Sequence, residues 1–109
     1  MPFDEHLAGR IREALARKRG IAEKRMFGGS VFLLNGNILV GIWRNWLLAR
    51  LGPEQGPEAL RQPYVKKMDI TGKPMRGWIM VEPEGVADDD QLQHWIQQAL
   101  QFVRTLPGK

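Results

Sequence analysis

The side chains able to do chemistry are few, and their spacing sets up no reaction. His6 and His94 are the two histidines, and neither has a second one three or four residues away, so no imidazole pair is placed to hold a metal. The chain has no cysteine, which removes disulfides, thiolate ligands and thiol nucleophiles. Ser30 is the single serine and follows Gly28-Gly29, but no Gly-x-Ser-x-Gly elbow surrounds it. Asp88, Asp89 and Asp90 carry oxygens suited to a hard cation. Acids at a helix start are equally explained by the free amides and the helix dipole. The phosphate-cradling pattern Gly-x-x-x-x-Gly-Lys-Ser/Thr is absent, and Gly28-Gly29 with Gly36 does not reproduce the dinucleotide fingerprint. No catalytic residue, metal ligand or cofactor is therefore expected, and the chain reads as a non-enzyme.

The bases are more suggestive. Net charge is +4 with a pI near 9.9. Between Arg61 and Arg76 five bases (Arg61, Lys66, Lys67, Lys73, Arg76) face one acid, Asp69. Residues 1–27 hold seven bases against four acids. Such segments can meet phosphates or an acidic partner, although solvated surface is the competing reading. The candidate contacts are Lys66, Lys67, Lys73 and Arg76, with Arg44 as an outlier. Trp43, Trp46, Trp78 and Trp95 stand near several of these bases, and indoles can stack on nucleobases. Tryptophan at strand and helix positions is more often core, and Trp95 falls inside an apolar stripe. Trp43 and Trp46 flank Arg44-Asn45, so at least one is expected to reach solvent. Met26, Met68, Met75 and Met80 read as gap-filling core.

The elements that would position these residues are legible from periodicity. Leu7, Ile11 and Leu15 recur every four residues and predict a helix from Asp4, its N-cap, to Arg19, with Gly20 as C-cap. Lys24 to Asn37 (Lys-Arg-Met-Phe-Gly-Gly-Ser-Val-Phe-Leu-Leu-Asn-Gly-Asn) predicts a strand, a glycine corner, a second strand and an Asn35-Gly36 hairpin turn. Asn37 to Trp43 is a third strand with Gly41 as candidate bulge, and Trp46 to Leu51 a fourth. Residues 52–63 read as a loop with one short helical turn, and Tyr64 to Ile70 is ambiguous. Gly77 to Glu82 is a last strand. Leu92, Trp95, Ile96, Ala99, Phe102, Val103 and Leu106 form one stripe of a closing helix, with Asp88 and Gln91 spaced as a capping box. The expected class is α+β: an antiparallel sheet of about five strands covered by N- and C-terminal helices. With 109 residues, 43% of them apolar, one domain spanning 1–109 is expected. No signal peptide or membrane-length apolar run is visible, and a cytoplasmic location is expected.

The combination Met26-Phe27-Gly28-Gly29, Phe32, Asn35-Gly36, and later Asp69 to Trp78 with Gly72, Gly77 and Trp78, resembles the signature of the TfoX N-terminal domain. That domain occurs in the TfoX/Sxy competence regulators of bacteria. The resemblance covers nearly the whole chain and implies a two-layer, secretion-chaperone-like fold. Two-domain members add a helical C-terminal domain, which residues 1–109 do not contain. They regulate DNA-uptake genes together with a cyclic-AMP-responsive activator. The resemblance thus implies a regulatory or adaptor domain with a protein partner, or with nucleic acid. The alternatives are a self-associating module, a homodimer through a sheet edge or an apolar patch, and a small-ligand site or enzyme at Gly28-Gly29.

Overall fold

The computed structural model describes residues 3–26, 28–68 and 76–108. Three helices, α1 (Glu5–Ala14), α2 (Gly52–Ala59) and α3 (Asp89–Val103), accompany six strands: β1 (Ile21–Met26), β2 (Gly29–Leu34), β3 (Asn37–Trp43), β4 (Trp46–Arg50), β5 (Val65–Lys67) and β6 (Trp78–Val81). The strands make one antiparallel sheet in the order β1-β2-β3-β4-β6-β5. The α+β class is as the sequence predicts, with one strand more: the ambiguous stretch after Tyr64 supplies the three-residue edge strand β5.

Two predicted features of the hairpins hold in detail. Asn35 and Gly36 have φ of 52° and 86°, the double positive φ that a type I′ turn needs. Met26 pairs with Gly29, and Gly28 has φ of 74°; Phe27 lies outside the described residues. The bulge is not at Gly41. Phe32 pairs with Val40 and Leu33 with Ile38, leaving Leu39 as the extra residue of β3. Both Leu39 and Val40 are then buried on the helix side, which a strict alternation would forbid.

The first helix is shorter than its stripe. Asp4 caps it, its Oδ1 accepting from the amides of His6 and Leu7 at 2.9 and 3.1 Å. After Ala14 the chain tightens into i→i+3 turns, the Ala16 amide donating to Glu13 and that of Lys18 to Leu15. Arg17, Lys18 and Arg19 therefore lie beyond the helix instead of in its last turn. Gly20 is left-handed with φ of 79°, but it borders the Asn35 turn and is not the C-cap. Residues 52–59 are an eight-residue helix where a loop with one short helical turn was expected. Pro53 sits in its first turn, where the missing N–H costs nothing, and Pro57 lies inside the helix, two residues before its last, Ala59.

All three helices pack on one sheet face. Leu7, Ala8 and Ile11 of α1, Ala59 of α2 and the stripe of α3 meet Phe32, Leu34, Ile42, Leu47, Ala49, Ile79 and Val81 in one core. At about 25 cal/mol per Å² of apolar surface removed from water, this layer is what holds the chain folded. The capping box of α3 is complete, Asp88 and Gln91 exchanging amide bonds at 2.8 and 3.1 Å.

Arg12 on α1 forms a two-pronged bond to Glu23 on β1, both contacts 2.9 Å, and Ser30 Oγ donates to the same carboxylate at 3.1 Å. The Arg12 bonds, with help from Ser30, hold the Glu23 carboxyl below its ordinary range. A carboxylate with a lowered folded pKa contributes stability that is complete above its unfolded value and is lost as pH falls through the folded one. Denaturant midpoints between neutral pH and the acid limb should accordingly fall less steeply for Glu23→Gln than for the parent. Parallel curves would show that the pair does not couple folding to protons.

Candidate functional site

The strand alternation separates bases that the sequence runs together. Lys66 pairs with Met80 and shares its face, away from the helices, whereas Lys67 pairs with Ile79 and faces the helix layer at the edge. Lys67 and Arg76 line a cavity of about 350 Å³ with Gly56, Pro57, Leu60 and Trp78. Arg44 stands at the opposite end of β4, in the turn between Trp43 and Trp46. Lys73 and Gly72 lie outside the described residues. The expected basic patch is thus two sites on two faces, with Trp78 common to both.

The cavity is built by close backbone contact. The Leu51 and Gly52 amides donate to Gly77 O at 2.8 and 3.1 Å, which ties the start of α2 to the entry of β6. A Cβ on Gly56 would stand 2.9 Å from Gly77 Cα, so these glycines let α2 lie directly on the chain. Two cations and an indole then flank an apolar floor, and no acid lines it among the described residues. That set can hold an anionic group beside a flat one. Among the described residues it contains no serine, histidine or carboxylate.

The second face carries Leu48, Met68 and Met80, with half-buried Trp43, Trp46 and Trp78 packed against them. No helical residue joins this cluster among the described residues. Trp43 and Trp46 are direct cross-strand partners. The Arg44 guanidinium lies 4.6 Å from the Trp43 ring centre, and Arg50 lies 5.8 Å from those of Trp78 and Phe102. Arg50 escaped the sequence reading because its partner, Trp78, is far along the chain, and no local signal pairs them.

Three of the seven bases in residues 1–27 are paired. Arg10 bonds Asp89, Arg12 bonds Glu23 and Arg25 approaches Glu5. Among the described residues, Arg44, Arg50, Lys66, Lys67 and Arg76 form no ion pair. The remaining signature residues serve the backbone: Met26 closes β1, Gly29 opens β2, and Gly77 has φ of 86°. Ser30 is fully buried on Glu23, and His94 contacts Gln98 and Trp95, so the two are not brought together. Asp88 caps α3 and Asp89 bonds Arg10; no three metal-capable side chains converge among the described residues. None of the cavities described is lined by Gly28 or Gly29. No described helix is long and apolar enough to cross a membrane.

The family model of the TfoX N-terminal domain matches residues 13–103. No curated protein and no solved structure matches the chain.

Proposed function

Because the chain belongs to the TfoX N-terminal domain family, we propose that it is a non-catalytic regulatory or adaptor domain that engages an anionic partner, nucleic acid foremost, in the cytoplasm. The observation that supports this reading is the convergence of Lys67, Arg76 and Trp78 on one cavity. The reading fits the transcription and competence role that the family resemblance implies. It assigns the contacts to Lys67 and Arg76 at the cavity, with Lys66 and Arg44 on the other face. A partner protein of this kind would present acidic or phosphorylated groups to the same bases.

Phosphate contacts make affinity fall linearly in log–log plots against salt, with a slope of about −0.7 to −0.9 per contact. Anisotropy titrations of labelled oligonucleotides should show that dependence. Replacing Lys67 and Arg76 together by Ala should weaken binding and flatten the slope by roughly two contacts. Absence of binding to duplex and single strand alike at low salt would sink the nucleic-acid reading.

A further inference from the structure

Resting on that reading, we infer that the nucleic acid is single-stranded and that its bases stack on the helix-free sheet face, on Trp43, Trp46 and Trp78. The first ground is charge. Strand register puts Lys24 and Lys66 on this face and Arg50 at its rim, where the guanidinium also reaches Phe102, and Arg44 stands in the turn beside it. Within the six described strands every ionisable side chain that register places there is a base, and Glu82, whose amide continues the β5–β6 ladder to Tyr64 O at 2.8 Å, is an acid at the margin. The helix-side face of the same strands carries Glu23, which Arg12 neutralises. A surplus of bases over acids on one apolar face is complementary to a phosphate backbone, and the indoles to the bases it carries.

The second ground is geometry. Trp43 and Trp46 sit opposite one another, and Trp78 pairs with Arg50, four residues further along β4 from Trp46. At about 3.4 Å per residue and about 4.8 Å between strands, the Trp46 and Trp78 positions are roughly 14 Å apart. They can therefore take separate bases. A duplex cannot use the same surface. Six strands span about 24 Å, twice the roughly 12 Å of the major groove, and paired bases keep their faces buried in the stack.

The third ground is Arg44. Its φ of 58° is a left-handed conformation uncommon for arginine, held by the Asp4 amide donating to Arg44 O at 2.7 Å. The strained turn sets the guanidinium over the Trp43 ring. It thus presents a cation and a π-face side by side.

Two other occupants fit less well. A second copy docked face to face by a two-fold axis would set the same bases against each other. The sheet edges are equally poor at pairing with a copy, since β1 carries Glu23, Lys24 and Arg25 in sequence and β5 has three residues, two of them lysine.

Quenching of intrinsic fluorescence and anisotropy should be read with a single-stranded oligonucleotide and with its duplex. The single strand should bind at least about tenfold tighter. Trp46→Ala should weaken single-strand binding by roughly 5- to 150-fold, as expected for one lost stacking partner. Arg44→Gln should weaken it severalfold, and Trp46→Ala should leave duplex affinity unchanged. Trp46→Phe, which keeps a π-face and guards against a folding defect, should bind nearly as well as the parent. Duplex binding equal to or tighter than single-strand binding would overturn the inference and leave an anionic partner standing. So would Trp46→Ala leaving single-strand affinity unchanged, or sedimentation showing that it dissolves a homodimer instead. If neither nucleic acid binds at all, the inference and the reading beneath it fall together.

Discussion

Gly29→Ala is expected to destabilise the chain by about 4 kcal/mol or more, a loss large enough to unfold many domains of this size. Gly29 pairs with Met26 at the mouth of the first hairpin. A Cβ there would overlap the carbonyl oxygen of Ile42 and stand 3.1 Å from its carbon. Ile42 is backbone of β3, fully buried, and paired on both sides with Ser30 and Leu47. It cannot retreat without opening two ladders. Gly28→Ala is the control. No atom lies within 4 Å of its added Cβ, so only the left-handed φ of 74° is paid for, roughly 1–2 kcal/mol. Urea midpoints for the two variants should differ accordingly. Equal midpoints would mean that the close approach of β2 to β3 is not what selects glycine.

That contrast marks what the sequence could and could not disclose. The Gly28-Gly29 pair signals a corner whichever residue bends and whichever is approached, because both demands erase the side chain. Only the neighbouring strand separates them. The Asn35-Gly36 turn and the Asp88–Gln91 box were readable because their causes are local: both φ values and both capping bonds lie within a few residues. Helix α2 was not. Gly52, Pro53, Gly56 and Pro57 look like loop punctuation, yet Gly52 and Gly56 make room for Phe102 and Gly77, residues distant in sequence. The basic site suffered the same way. Lys66 and Lys67 are neighbours in the chain and strangers in the sheet, since a two-residue period sends them to opposite faces. Composition counts their charge and cannot divide it. The Trp43-Trp46 pair came out as expected, with both rings half-buried, because a two-residue turn fixes who faces whom.

Trp95→Ala should lower the melting temperature by roughly 12–20 °C. Truncating a buried tryptophan costs about 3–5 kcal/mol, and a domain near 100 residues shifts by roughly 4 °C per kcal/mol. Trp95 is 4% exposed and belongs to the core that joins α3 to the sheet. Its Nε1 donates to Gly85 O at 3.3 Å, so the indole also pins the short helical turn Pro83–Val86 that leads from β6 into α3. Gly85 is itself closely packed. A Cβ on it would stand 2.5 Å from Val81 Cγ1 and 3.0 Å from Tyr64 Cβ. Trp95→Phe separates the two roles. It keeps a ring in the core and removes the donor, leaving the Gly85 carbonyl short of a partner, at about 1–2 kcal/mol. The bond is long, which argues for the lower part of that range. Near-ultraviolet circular dichroism during melting should therefore place the phenylalanine variant several degrees below the parent and well above the alanine variant. If both variants melted together, the hydrogen bond would outweigh the packing, and the apolar stripe would not be what holds α3 on the sheet.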